Sequence, residues 1–340
     1  MQTPRLRVKW YRRTLYPRVG LSDQRVNRSG FDSGFMVWDV AGCKVAAAMS
    51  AGASAAVLLT TTAADGTSVR ALDEGRGPVI LILHPGMETG TRYARVARIL
   101  SRRFRVIRLH RRQYRLDLKR DPAIGSPCTV AQEVEHVLAL VAHVGAPVVL
   151  YGHSSGGPVA LEALLASPTS FAGCLVYEPA SVIDAPAGER LVGDVIPQDD
   201  QVGDGLRRAR AALVARKPGK ALAIFTGIAA GWPAWLCSLA GRLTAVIPAY
   251  RRLIPCQIDD LEAMERLGNR LTAYAGIERP VALIGGERSP VLLKQTVAAV
   301  ASAIPGAELL VLRGQGHDGQ TRDAKQLAGL IEAFADKVLS

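Results

Sequence analysis

The sequence predicts an α/β fold, a mostly parallel sheet with helices on both faces. Three observations carry this. From about residue 60 onward, strand-like and helix-like patterns alternate. Several strand-like runs, Val79–Leu83 and Val148–Tyr151 among them, are continuously apolar, as strands buried on both faces are. The connections are short, as strand–helix–strand units require.

The elements follow in order. Asp65-Gly66 is a turn signal between Thr60–Ala63 and Ser68–Leu72, a first hairpin. Pro78 opens the strand Val79–Leu83. Thr91–Arg102 is helical, with Tyr93, Val96, Ile99 and Leu100 on one side, and Phe104–Leu109 is the next strand. Thr129–His143 carries Val130, Val134, Val137, Leu138 and Val141 at helical spacing, with Gly145 just past its end. Then come strand Val148–Tyr151, helix Pro158–Leu165 and strand Ala172–Tyr177. Residues 181–275 are less regular, with helices expected at Leu206–Ala215 and Leu261–Tyr274. The chain closes with strand Val281–Ile284, helix Pro290–Ile304, strand Glu308–Leu312 and helix Thr321–Val338.

Composition removes other classes. At 49% hydrophobic residues, the chain of 340 is not wholly disordered. No stretch of ~18 strongly apolar residues is present, so no transmembrane segment is expected. Five scattered Cys form no close pair, which argues against a disulfide scaffold or short-spaced zinc ligands. No metal or cofactor is expected.

Residues 1–48 read differently from the rest. They hold nine Lys/Arg against three Asp and show no sustained periodicity. Arg12–Arg13 resembles a twin-Arg signal, but Pro17, Arg18 and Asp23 follow where an apolar run belongs. Val40-Ala41-Gly42-Cys43 resembles a lipoprotein cleavage site, but Asp32 and Asp39 precede it. The segment is read as a disordered or spurious extension ahead of Met49, rather than as an arm for nucleic acid or membrane. A cytoplasmic location is expected, with export left open.

The most specific signal is Gly152-His153-Ser154-Ser155-Gly156, with Gly157 next, between an apolar strand and a helix. A Ser on so tight a turn is lifted above the sheet edge and faces a helix N-terminus, and its flanking residues must be small. Further pieces follow in family order. Leu83-His84-Pro85-Gly86 resembles the His-Gly oxyanion turn of α/β-hydrolase-fold enzymes. Val106–Tyr114 resembles the strand and turn that follow it, and Gly314-Gln315-Gly316-His317 the C-terminal Gly-x-x-His. The resemblance runs from about residue 60 to the end. It implies an α/β-hydrolase core over 60–180 and 276–340, and a helical cap over 181–275.

The resemblance implies roles for named residues. Ser154 is the nucleophile and His317 its base. Many relatives carry Asp after the strand at Val281–Ile284, where this chain reads Gly285-Gly286-Glu287-Arg288-Ser289. Ser289 stands at the expected position and cannot stabilise an imidazolium. Glu178, in Val176-Tyr177-Glu178-Pro179, is therefore the preferred acid, and Glu287 the alternative. The oxyanion hole needs two backbone N–H donors. Ser155 supplies one; Pro85 has none, so Gly86 is chosen for the second, with Met87 in reserve. His84 is expected to brace the oxyanion loop and His153 to pack locally. His136 and His143 are placed on the surface of their helix, and His110 receives no role.

A Ser at this turn implies acyl transfer, where related dehalogenases and epoxide hydrolases use Asp. The expected function is a serine hydrolase of carboxylic esters, with a small-molecule substrate bearing an apolar group. Thioesterase, amidase, C–C hydrolase and cofactor-free perhydrolase are alternatives, and a non-catalytic ligand-binding protein is the rival class. Ile224, Phe225, Ile228, Trp232, Trp235, Leu236 and Leu239 are expected to line the cap or pack it onto the core; Cys237 and Cys256 are expected to be buried filler. Residues 102–120 carry nine Lys/Arg against Asp117, within a net charge of +12. That run is expected to be solvated, so no nucleic-acid partner is favoured. The oligomeric state is not readable.

Overall fold

A computed structural model describes residues 56–117, 128–145, 147–183, 199–230 and 233–340. The basic segment 1–48, Met49, Lys119, Arg120 and Trp232 lie outside these residues.

The chain opens with strands β1 (Val57–Thr62), β2 (Ser68–Gly75) and β3 (Val79–Leu83). Helix α1 (Ala94–Leu100), strand β4 (Arg105–His110), helix α2 (Val130–Val144) and strand β5 (Val148–His153) follow. Helix α3 (Gly156–Ala166) leads to strand β6 (Phe171–Tyr177). Helices α4 (Asp199–Val214), α5 (Pro218–Ala230), α6 (Ala234–Val246), α7 (Pro248–Leu267) and the short α8 (Leu271–Tyr274) come before strand β7 (Val281–Gly286). Helix α9 (Val291–Ala303), strand β8 (Glu308–Leu312), the one-turn α10 (Gly319–Arg322) and α11 (Ala324–Leu339) complete the fold.

The eight strands form one sheet in the order β1-β2-β4-β3-β5-β6-β7-β8. The β1–β2 and β2–β4 pairs are antiparallel, and every later pair is parallel. Successive side chains on a strand point to opposite faces, so the continuous apolar runs fill two cores. Leu81, Leu83 and Leu150 join α2, α3 and α9 residues on one face. Ile80, Ile82, Val149 and Tyr151 join α1 and α11 residues on the other. Helix α2 starts at a capping box, where Thr129 Oγ1 accepts from Gln132 N and Gln132 Oε1 accepts from Thr129 N. It ends at Gly145, whose φ of +88° lies in the region that favours glycine.

The register positions the site. Leu83 pairs with Gly152, His153 with Tyr177, Tyr177 with Ile284, and Gly286 with Leu312. The carboxyl ends of β3, β5, β6, β7 and β8 therefore fall along one edge, where ligands bind in open parallel sheets.

Several expectations need correction. The run 181–275 holds four long helices, not two. The helix expected over Leu261–Tyr274 is divided, because Gly268 takes a φ of +69° and ends α7. The apolar stretch within it does not all face inward: Leu222 is buried, but Trp235 and Leu239 are 69% and 47% exposed, beside Leu243 and Val246 on the outer face of α6. His136 is buried, not a surface residue, because α2 packs under the first hairpin. There its Nε2 lies 2.7 Å from Thr67 Oγ1 and 3.3 Å from Arg112 Nη1. Burial and the Arg112 charge push it down to about 4. His143 is exposed as expected.

The basic run is the largest correction. Arg108, Arg111, Arg112 and Arg115 are buried rather than solvated. Each meets a carboxylate from elsewhere in the fold or the next turn: Glu74, Glu133 and Asp260, Asp65, and Asp117 respectively. Arg108 lies on β4 within the sheet, and the other three follow on the turn that packs under α2 and α7; charge there persists only when paired.

Candidate active site

Three strand ends carry the site, and each bears a strained residue. Among the described residues only Met87, Ser154, Glu178 and Arg216 have positive φ without being glycine. The first three follow β3, β5 and β6. Such conformations cost about 1–3 kcal/mol each and persist where the surroundings impose them. At Ser154, with φ of +53°, the N–H donates to Tyr177 O (3.0 Å), and the carbonyl accepts from Gly157 N (2.8 Å) and Ala180 N (3.0 Å). The turn is thus pinned to its own helix and to β6. Small neighbours are required: a Cβ on Gly156 would sit 2.5 Å from Leu83 O, and one on Gly152 2.5 Å from Gly156 O.

His317 lies on the loop between β8 and α10. Its Nδ1 is 2.6 Å from Glu178 Oε2. Glu178 Oε1 accepts from Gly286 N at 2.6 Å, and the side chain is fully buried. Burial pushes the Glu178 carboxyl up most strongly, but the bond to His317, the His317 charge and the hydrogen bonds from Ser289 and Gly286 together hold it below the usual value. Burial lowers His317, and the Glu178 bond and charge more than offset it, so its net shift is upward. The two shifts agree on an ion pair once His317 gains a proton. Tyr177 OH donates to Gly316 O, and Arg92 pairs with Asp318 at 3.4 Å, which fixes the His317 loop from both sides. The His153 ring stacks on Tyr177 with centroids 4.5 Å apart and stands 4.6 Å from the His317 ring. His153, the residue before Ser154, thus stands against the His317 ring. No hydrogen bond joins Ser154 Oγ to the ring here; such pairs often tighten only around substrate.

The other candidate acid points elsewhere. Glu287 is exposed, and its Oε2 accepts from Gly314 N at 2.6 Å. Ser289 is buried beside Glu178: a Cβ on Gly286 would lie 2.5 Å from Ser289 Oγ and 3.0 Å from Glu178 Oε1. The hydroxyl thus stands at the end of β7, and Glu178 comes up to it from the adjacent strand β6.

The loop after β3 faces the elbow. His84 Nδ1 is 2.7 Å from Pro85 O, and His84 Nε2 accepts from Arg111 N at 3.2 Å. The ring therefore carries its proton on Nδ1 and donates it along the loop. Burial and the neighbouring Arg111 keep it neutral, well below the ordinary histidine value. A Cβ on Gly86 would fall 1.9 Å from Gln257 Oε1, so a larger residue there would have to move the Gln257 side chain of α7. Glu88, on the same loop, is buried, and desolvation pushes it up to about 7. Ser155 is the N-cap of α3, the helix end towards which backbone N–H groups point.

The fold and these strand ends agree with the sequence comparison, in which residues 79–330 match the alpha/beta hydrolase family. The chain belongs to the alpha/beta hydrolase family. It is similar to an alpha/beta hydrolase from Sphaerobacter thermophilus, with 25% identity and a TM-score of 0.63, over 81% of this chain and 100% of that one. An esterase from a Rhodococcus species shares the fold at 17% identity and a TM-score of 0.60, over 83% and 99%. A bacterial membrane phospholipase A shares it at 20% and 0.61, over 84% and 87%. No curated protein matches the chain. No helix among the described residues is long and apolar enough to cross a membrane.

Sequence reasoning missed Arg111, Asp260, Tyr114 and Glu88. Arg111 had a signal, since it follows a strand that ends at the site. Asp260 had none: it is one acidic residue on a mixed helix, and only the docking of α7 buries it.

Proposed function

We propose that this hydrolase is a serine esterase that works through an acyl-enzyme. The observation that carries the reading is the 2.6 Å contact between buried Glu178 and His317 Nδ1, at the strand end beside Ser154. With Nδ1–H held by Glu178, His317 Nε2 is free to accept the Ser154 proton. Ser154 Oγ attacks the ester carbonyl, and the backbone N–H groups of Ser155 and Gly86, with Met87 adjacent, receive the oxyanion. Glu178 stabilises the imidazolium. His317 then returns its proton to the leaving alkoxide, which departs as alcohol. Water, deprotonated by His317, attacks the acyl-enzyme and releases acid and Ser154.

The helices between β6 and β7 serve as a cap over this centre. Met87, on the oxyanion loop, belongs to one apolar cluster with Leu213 of α4, Leu222 of α5 and Ile254 and Ile258 of α7. An apolar wall next to the hole favours a substrate with an apolar acyl or alcohol group. Esterases among the similar solved structures support the ester reading.

The test is covalent. A fluorophosphonate probe, followed by peptide mapping, is expected to label Ser154. Ser154→Ala is expected to abolish both labelling and turnover of a short p-nitrophenyl ester. Labelling at another residue, or undiminished turnover in Ser154→Ala, would overturn the reading.

A further inference from the structure

Behind the elbow lies a fully buried charged cluster that the acyl-enzyme steps do not use. Arg111, directly after β4, is 1% exposed. Its Nη1 donates to Ser155 Oγ (2.8 Å), to His84 O (3.2 Å) and to Asp260 Oδ2 (3.2 Å). Nη2 donates to Asp260 Oδ1 at 2.8 Å, and Nε to Glu133 Oε2 at 2.8 Å. Asp260 projects from α7 and is fully buried. Its Oδ2 also accepts from Ser155 Oγ (2.5 Å) and Tyr114 OH (2.7 Å).

The cluster touches both walls of the oxyanion hole proposed above. One wall is the loop after β3. Arg111 grips it twice, through its backbone N–H to His84 Nε2 and through Nη1 to His84 O. The other wall is the first residue past the nucleophile, and Ser155 Oγ is held by both Arg111 and Asp260. Helix α7 supplies Asp260 and, one turn earlier, the Gln257 that closes over Gly86.

Stability alone is a weak reason for such a cluster. The desolvation of buried ions offsets most of their attraction, and apolar residues of similar volume usually serve as well. What a fully bonded guanidinium fixes is position, through its planar array of donors. We propose that Arg111 and Asp260 are positioning residues that set the spacing of the two oxyanion-hole walls and make that spacing depend on the docked cap helix α7. The inference rests on the serine-esterase reading.

The test is a cycle of variants, Ser155→Ala, Asp260→Asn and the double, assayed with a short p-nitrophenyl ester. Ser155→Ala keeps the backbone N–H and removes only its tether. It leaves Asp260 bonded to Tyr114 and Arg111, so the fold is retained. Loss of a whole oxyanion donor costs about 10²–10³ in kcat, so a displaced donor should cost about 10–100-fold. The expected result is that fall in kcat for each single variant, with KM within about threefold and the pH midpoint of kcat/KM unmoved. Because both changes cut the same tether, their effects should not multiply, and the double variant should match the worse single variant. Wild-type kcat in Ser155→Ala overturns the inference, as do multiplying losses or a fall confined to KM. If Asp260→Asn does not fold, Ser155→Ala alone decides. A wild-type chain that neither turns over ester nor reacts with fluorophosphonate refutes the esterase reading and the inference together, whereas an active wild type with an indifferent Ser155→Ala refutes the inference alone.

Discussion

Glu178→Gln is the substitution with the most determinate outcome. The amide is expected to place its oxygen where Glu178 Oε1 stands, because Gly286 N donates there at 2.6 Å. The amide NH2 then faces His317 Nδ1, where a carboxylate oxygen stood at 2.6 Å. Two donors cannot face each other, so His317 turns to the tautomer with Nδ1 bare and the proton on Nε2. That nitrogen can no longer accept from Ser154. The buried site adds a second loss, since no negative charge remains to stabilise an imidazolium. Losing the buried acid of such a triad costs of the order of 10⁴ in kcat. The isosteric amide should therefore cost about 10³–10⁴, or about 4–5.5 kcal/mol of barrier. The assay is kcat on a p-nitrophenyl ester, with active sites counted by the burst. Glu287→Gln is the control, expected to cost less than about tenfold, since Glu287 serves only the exposed Gly314 N–H. An active Glu178→Gln within tenfold of wild type, or a larger loss in Glu287→Gln, would refute the reasoning.

Three other outcomes are expected. His317 must be neutral to act as base, and its net shift is upward, so the acid limb of kcat/KM should fall above the ordinary histidine value of about 6.5. In Glu178→Gln the residual activity should persist to lower pH, because the charge that favours the imidazolium is gone; an unmoved limb would assign it to another group. Gly156→Ala drives a Cβ to 2.5 Å from Leu83 O and 2.8 Å from His84 O, both backbone, and should cost about 1–3 kcal/mol or more in urea unfolding. A Gly156→Ala protein of unchanged midpoint would contradict that packing. His136 is held near pKa 4 when folded and returns to about 6.5 when unfolded, so its contribution is full above pH 6.5 and is lost as pH falls towards 4. The fall is at most about 3 kcal/mol. His136→Gln should therefore lose less stability between pH 7 and pH 4.5 than the parent chain does.

The sheet was legible because its pattern is simple. Val79–Leu83, Val148–Tyr151 and Val281–Ile284 are apolar runs bounded by turn residues, and each is a strand in the parallel sheet. The elbow was legible because its small residues are forced by contact with the adjacent backbone. The helices between β6 and β7 were harder. Their apolar residues partly face outward, as Trp235 does, so periodicity misreports which face is packed. The basic run failed for a different reason. A sequence shows charge but not the partner, and Glu74, Glu133 and Asp260 come from three distant elements. Glu178 is chosen because Ser289 leaves the expected position without a carboxylate, and the structure brings Glu178 to His317. The strained φ at Met87 and Glu178 had no signal at all, because neither residue type favours it.

The helices between β6 and β7 are tied to the core by a buried ion pair. Arg111 and Asp260 are 149 residues apart in sequence, so their pairing closes one of the longer loops in the fold. Contacts so distant form late. Until α7 docks, Tyr114 and Ser155 lack the Asp260 carboxylate and Arg111 has Glu133 alone, so the nascent core keeps a hydrated seam beside β4. Final drying of that seam and arrival of the cap should be one folding event. A segment grafted in place of α7 without a carboxylate at position 260 would leave Arg111 with Glu133 alone and remove the carboxylate that Tyr114 OH and Ser155 Oγ share. The 181–275 run is thus tied to the strand ends from inside the core, by a pair of side chains on opposite sides of its boundary.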